Sequence, residues 1–309
     1  MRAVVTEAWG GPEVMSVREV DRPEPGEGEV LVRVAAAGVN PVDWKTRKSG
    51  GLLARKGVEP PVILGWDVSG TVEAVGPGVT RFAVGDEVYG MPRFPGLAAA
   101  YAEYVAAPEA DLARKPASVG HAEAAALPLV GLTVLQAFRK AELQPGQTVL
   151  VHGAAGGVGS VAVQVAKALG ARVAGTASAA NQDLLRELGV DEPIDYASQD
   201  FGQMLSDVDV VLDTQGGEVR ERSWGVMRPG GFLVSIVGPP KEGEAEGHGV
   251  RGAGIMVRTG GEQLEELARM VDDGKLTPVV SATYPLADAA EAHRSLETGH
   301  ARGKLVLLA

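Results

Sequence analysis

Residues 153–159 read Gly-Ala-Ala-Gly-Gly-Val-Gly, a stretch with so little side chain that any chemistry there belongs to the backbone. Ala154, Gly156 and Gly159 take the three fixed positions of G-x-G-x-x-G, with Gly157 and Val158 between the last two. Such a turn can cradle a pyrophosphate. Small residues let the backbone come close, and the N–H groups and dipole of a following helix face the anion. A glycine motif alone is common by chance, so its setting decides its weight. Residues 148–152 form a short aliphatic, β-branched run suited to a buried parallel strand. Residues 160–169 return to helical composition, and Gly170 stands where a C-cap belongs. Strand, glycine turn and helix in that order point to a dinucleotide.

The next strand narrows the choice. It ends at residues 175–181, Gly-Thr-Ala-Ser-Ala-Ala-Asn, with Thr176 at its tip. Folds that prefer NAD place an Asp or Glu about 20 residues past the glycines to hold the ribose 2′-hydroxyl. No carboxylate stands here, so nothing repels a 2′-phosphate, and Ser178 and Asn181 can donate hydrogen bonds to one. A plain strand-to-helix turn with Asn181 as N-cap accounts for the same residues, and the turn holds no Lys or Arg. The expected cofactor is NADPH.

The bulk properties bound the rest. The net charge of −11 argues against nucleic acid or an anionic membrane surface as the partner. There is no cysteine, which excludes disulfides and thiolate metal sites. His121, His152, His248, His293 and His300 form no pair at ligand spacing and read as surface or structural residues. With no signal-peptide core and no apolar run of about 18 residues, a cytoplasmic location is expected.

The elements that must position these residues fall into two patterns. Residues 1–118 read as short strands punctuated by Pro and Gly: 2–7, 14–19, 30–36, 70–75, 86–89 and 100–105. They predict a β-rich, barrel-like domain. From residue 121 strands alternate with helices, with strands at 148–152, 172–176, 192–195, 208–213, 231–237 and 254–258. That alternation predicts a doubly wound parallel sheet. Residues 261–273 predict an amphipathic helix, and the strand–helix–strand tail that follows has no partner of its own. The expected organisation is a domain over 1–118, completed by 261–309, and a Rossmann domain over 119–260.

Several motifs in this order resemble the medium-chain dehydrogenase/reductase superfamily, in its zinc-free quinone-oxidoreductase branch, over essentially the whole chain. They are Ala35-Ala-Ala-Gly-Val-Asn-Pro-Val-Asp43, Leu64-Gly-Trp-Asp-Val-Ser-Gly-Thr-Val-Glu-Ala-Val-Gly76, Arg81-Phe-Ala-Val-Gly-Asp-Glu-Val-Tyr-Gly90, Ala126-Leu-Pro-Leu-Val-Gly-Leu-Thr-Val134, His152-Gly-Ala-Ala-Gly-Gly-Val-Gly159 and Arg228-Pro-Gly-Gly231. The resemblance implies a GroES-like β-rich catalytic domain, a Rossmann domain, and a cofactor between them. Where the zinc-dependent members carry a Cys and a His as ligands, this chain has Asn40 and Trp66, with Asp67 in place of the following Glu. Neither an amide nor an indole suits zinc, so no metal is expected.

Without a Lewis acid the implied chemistry is hydride delivery from NADPH to a quinone or an α,β-unsaturated carbonyl. Asn40 is the candidate to hydrogen-bond the substrate carbonyl, or else a turn-forming Asn before Pro41. Lys45 stands where several relatives have a Tyr donor, and Trp66 lines the acceptor pocket or belongs to the core. By position, Thr133 is expected near the nicotinamide ribose and Tyr196 near the adenosine phosphate. Backbone groups of Ile236, Val237 and Gly238 are expected at the carboxamide. Lys304 either reaches the cleft or is a strand-edge lysine. The resemblance also implies a homodimer paired near residues 255–258. The rival readings are an enoyl-thioester reductase and a non-catalytic NADPH-binding sensor or structural protein.

Overall fold

Aliphatic segments from the two ends of the chain meet in one sheet. The computed structural model describes residues 1–299 and 301–309, so His300 lies outside the described residues. The chain divides into two units, one of Met1–Leu132, Arg258–Gly274 and Pro278–Ala309, the other of Thr133–Val257 and Lys275–Thr277. The short helix His121–Ala125 therefore sits in the first unit, where Ala125 and Ala126 pack with Ala36 and Val306.

In chain order the first unit supplies strands β1 (Arg2–Thr6), β2 (Met15–Glu19), β3 (Glu29–Val39), β4 (Val62–Ile63), β5 (Asp67–Val75), β6 (Glu87–Gly90), β7 (Tyr104–Pro108) and β8 (Leu112–Arg114). Helix α1 (Pro41–Ser49) follows β3 directly. Helix α2 (Pro128–Lys140) then leads into the second unit.

The second unit supplies β9 (Thr148–Val151), β10 (Arg172–Ala177), β11 (Glu192–Asp195), β12 (Val208–Asp213), β13 (Met227–Ser235) and β14 (Arg251–Gly254). Between them run α3 (Gly157–Ala168), α4 (Gln182–Glu187) and α5 (Gly217–Ser223). The chain returns through α6 (Gly261–Asp272), β15 (Val280–Pro285), α7 (Ala289–Glu297) and β16 (Lys304–Leu308) to the first unit.

Among the described residues the second unit's sheet is parallel, in the order β11-β10-β9-β12-β13-β14. The strand order reverses at β9, which is the place where a doubly wound sheet binds its ligand. Leu150, Ala174, Val211 and Leu233 pack with Phe201, Trp224 and Val226 in its core. The first unit's main sheet runs β15-β16-β3-β5-β6-β8, with β7 also on β3. Its C-terminal strand lies antiparallel to β3, Leu305 opposite Val39 and Leu308 opposite Ala36. Helix α6 buries Leu264, Leu267 and Val271, the stripe its sequence period predicts, and Tyr89 donates to Leu264 O at 2.5 Å.

Two strand expectations need correction. The segment at 100–105 is a strand only from Tyr104, because Ala102 makes just an isolated bridge to Ala3 and the ladder with β3 begins at Tyr104. The last strand of the parallel sheet is Arg251–Gly254, not 254–258, since its register pairs Phe232 with Arg251 and Ser235 with Gly254.

Candidate active site

Asn40 ends β3 in extended geometry and is the N-cap of α1, with Pro41 at the first helical position. The Asp43 carboxylate reaches back and accepts the Asn40 N–H at 2.6 Å. The Asn40 side chain is 0% exposed. Its Nδ2 donates to Asp67 Oδ2 at 2.8 Å, and its Oδ1 accepts from Lys304 Nζ. A carboxylate only accepts and an ammonium only donates, so the amide has one possible orientation. Lys304 also donates to Val39 O at 3.0 Å and lies 3.4 Å from Asp67 Oδ2. The other Asp67 oxygen accepts the Leu129 N–H, in the first turn of α2, at 2.8 Å. Burial pushes the Asp67 carboxyl up and the Lys304 amine down, while each holds the other's charge against that pressure.

Asp43 opens a second branch. Its Oδ2 also accepts from Tyr101 at 2.8 Å, and the Tyr101 oxygen lies 3.2 Å from His293 Nε2. Burial raises the Asp43 carboxyl to about 7 against the Tyr101 and Asn40 hydrogen bonds. Burial lowers His293 to about 3, with Arg47 adding to the effect. The Asn40-Pro41…Asp43 spacing is a capping signal that the reading of Asn40 as a turn residue passed over. Tyr101 and His293 carried none.

The structure separates the other two catalytic expectations. Trp66 is 1% exposed, and its indole N–H donates to Gly96 O at 2.6 Å. The Phe94 ring stands edge-on to it at 5.6 Å. It is a core residue that fixes the loop before Gly96. Lys45 lies on the exposed face of α1, its Nζ 5.7 Å from the Trp44 ring centre, away from the buried cluster.

In the second unit the glycine turn has the expected form. Gly156 caps α3 in extended geometry, and Gly156, Gly157 and Val158 are partly exposed at the end of the helix whose first N–H groups lack helical partners. A Cβ on Gly159 would lie 2.2 Å from Gly153 O, so only glycine lets strand, turn and helix pack this closely. The methyl of Ala154, buried against Gly175, explains why alanine fits the first motif position: a Cβ on Gly175 would come within 3.0 Å of it.

Beside the turn, Asn181 Nδ2 donates to Ser178 Oγ at 3.2 Å, which leaves the serine proton as a donor. Gln182, which no sequence signal singled out, donates to Ala177 O and Ser178 O at 3.2 and 3.3 Å. Tyr196 is 60% exposed and its N–H bonds Ala177 O at 3.2 Å, which brings its backbone beside the end of β10. The nearby Asp195 carboxylate is turned to the Ala197 N–H and Ser198. Thr176 and Thr133 are both buried.

At the end of β13, part of the backbone expected at the carboxamide bonds within the unit. Ile236 N–H bonds Asp213 O, Val237 N–H approaches Ser235 Oγ at 3.3 Å, and Gly238 O accepts from Arg220. Those three groups are spent inside the unit. The same Arg220 pairs with Asp213 at 2.7 Å and Ser235 at 2.8 Å, tying the ends of β12 and β13 together. Burial pushes the Asp213 carboxyl up, but the Gly216 N–H and the Arg220 guanidinium outweigh it and hold it below the usual range.

Residues 26–117 match the family described as alcohol dehydrogenase GroES-like domain, and 188–307 the one described as zinc-binding dehydrogenase. The chain is 35% identical to the chloroplastic NADPH-dependent alkenal/one oxidoreductase of Arabidopsis thaliana, over 99% of this chain and 79% of that one. The quinone oxidoreductase from Coxiella burnetii superposes with a TM-score of 0.93 at 36% identity, covering 100% and 99% of the two chains. The Escherichia coli quinone oxidoreductase complexed with NADPH gives a TM-score of 0.88 at 30% identity, over 100% of both. The chain belongs to the medium-chain dehydrogenase/reductase superfamily.

Within the superfamily it falls in the zinc-independent, quinone-oxidoreductase-like branch. The residues at the ligand positions do not fit the metal that one family description names. An amide bonded at both ends and a buried indole offer no ligand. Among the described residues no group of three or more His, Asp or Glu side chains could hold an ion. Nor, among them, is any helix long and apolar enough to cross a membrane.

Proposed function

We propose that this protein is a zinc-independent reductase that uses NADPH to reduce quinones or α,β-unsaturated carbonyls. One observation carries the reading: where a metal would be held stand Asn40, bonded to Asp67 and Lys304, and Trp66, bonded to Gly96, in a chain that keeps a dinucleotide cradle. NADPH supplies the hydride, and the residues here orient it and its acceptor.

Gly156–Gly159 and the start of α3 hold the pyrophosphate. Ser178 and Asn181 hold the 2′-phosphate, and the Tyr196 ring packs on the adenosine. Thr133 lies toward the nicotinamide, with those backbone groups of residues 236–238 that are not bonded within the unit. Asn40 acts by position: bonded at both ends, it fixes the entry of α1, while the segments at 44–58 and 91–99 select the acceptor. Lys45 has no part in this reading. The chain is taken to work in the cytoplasm as a homodimer, which the edge strand β14 would close by pairing with a second copy.

A screen of NADPH oxidation with quinones, enones and enoyl thioesters, run with and without chelator, tests this. Turnover with a quinone or enone that ignores chelator is the expected result. Turnover lost on chelation, or confined to enoyl thioesters, would overturn it.

A further inference from the structure

His152, the last residue before the glycine turn, is buried, so it does not itself face a ligand in the cradle. Its hydrogen bonds nonetheless run straight into it. On the far side Ser223 Oγ donates to Val219 O at 2.6 Å, one turn back in α5. With its proton spent, Ser223 can only accept at 2.8 Å from His152 Nε2, which must therefore carry hydrogen. In a neutral ring Nδ1 is then an acceptor, and Thr176 Oγ1 lies 3.3 Å away as its donor. The same Thr176 oxygen accepts the Gly153 N–H at 3.3 Å.

Every direction in this chain is fixed: Gly153 N–H to Thr176, Thr176 to His152, His152 to Ser223, Ser223 to Val219. The peptide between His152 and Gly153 is clamped from its other side as well, because Thr214 donates to His152 O at 2.7 Å. Gly153 takes a left-handed φ of 61°, and its carbonyl is the atom against which Gly159 packs.

We propose that His152 is a positioning residue for the dinucleotide: a neutral imidazole with its proton on Nε2 that sets the Gly153 turn through the Thr176 hydroxyl. The inference rests on the NADPH reading above. Burial supports the neutral ring by lowering the His152 pKa to about 4. The Phe201 ring, edge-on at 5.0 Å, excludes water from its face.

The test combines histidine ¹⁵N–¹H NMR with NADPH binding followed by nicotinamide fluorescence. The His152 ring, assigned by its loss in His152→Gln, should show the Nε2–H tautomer at pH 7. Thr176→Val should raise the Kd for NADPH about tenfold, and Thr176→Ser, which keeps the hydroxyl, should restore most of it. Ser223→Ala, remote from the cofactor, should shift the tautomer population and raise the NADPH Kd severalfold while kcat at saturating cofactor changes far less. An Nδ1–H tautomer or a charged ring at pH 7 would overturn the proposal. So would a folded Thr176→Val protein that binds as the wild type does. A wild type that fails to bind NADPH at all overturns the cofactor reading too, so the two failures are told apart.

Discussion

Each unit buries a polar cluster beside its functional segment, and the two are built on opposite principles. Around Asn40 the cluster is charged: Asp43, Asp67 and Lys304 lie out of water, and a neighbouring layer holds Arg47 and His293. Among the described residues the buried atoms Asp43 Oδ1, Arg47 Nη1 and His293 Nδ1 find no hydrogen-bond partner. Around His152 the cluster is neutral, and each of its ring nitrogens has one partner. Buried charge costs several kcal/mol per ion before its pairing returns anything, whereas a neutral hydrogen bond is a small net gain. The first arrangement specifies a geometry at high cost, and breaking it leaves a stranded ion. The second aligns a backbone turn cheaply, and breaking it loosens only that turn.

The largest expected effect breaks the charged side. Lys304→Met leaves Asp67 buried without its cation and should cost about 3–5 kcal/mol of stability. Ser223→Ala in the neutral chain should cost about 1 kcal/mol. Denaturant titrations of the two variants decide the matter. Equal losses would mean that the Lys304–Asp67 pair is not held as ions.

Acid sharpens the same contrast. His152, lowered to about 4, contributes stability that is complete above the free imidazole value near 6.5 and is lost as pH falls from there toward 4. The lowered Asp213 adds to that acid loss, its contribution present above the free carboxyl value and lost as pH falls through the folded one. In the first unit His293 acts in the same direction, with a folded value of about 3. Asp43, raised to about 7, acts oppositely, its contribution complete below the free carboxyl value near 4 and lost as pH rises through 7. Between pH 6.5 and 4 the raised carboxyls of Asp43 and Asp67 oppose the lowered His293 and His121 in the first unit, and among the described residues no raised group opposes His152 in the second. Amide protection factors, corrected for the intrinsic exchange rate at each pH, should therefore fall first in β9, β10 and β12 as pH drops across that window. Earlier loss of protection in β3 and β16 would reverse the assignment.

The smallest effect concerns Lys45. Its exposed place on α1 predicts that Lys45→Ala changes kcat/KM by no more than about twofold. A loss of about a hundredfold would restore it as the proton donor.

What was legible in the sequence follows from the range of the forces involved. The glycine turn could be read because its constraint is local and steric: Gly159 must be glycine wherever a strand and helix pack this closely. The cap on α1 rests on neighbours in sequence too, Asn40, Pro41 and Asp43, although Asn40 was read only as a substrate-binding or turn-forming residue. Lys304 was left between two readings because its partners lie 237 and 264 residues away, and nothing local distinguishes such a lysine from one on a strand edge. His152 passed as merely structural because its meaning depends on the parallel register that brings Gly175 opposite Val151, and hence Thr176 alongside the imidazole. Tyr196 and Ser178 were readable as separate candidates, but their adjacency came only with the pairing of Ala177 with Asp195.

The antiparallel seam between β3 and β16 also sets an order of events during synthesis. Asn40 and Asp67 leave the ribosome early, yet their cation is Lys304, more than two hundred residues later. All six strands of the parallel sheet have emerged by then. A nascent chain can complete the later-encoded unit while the earlier one still waits with two acidic or amide groups unmatched. The first unit is therefore closed by a strand and a cation encoded after the whole of the parallel sheet, so its seam cannot form before that sheet has been synthesised.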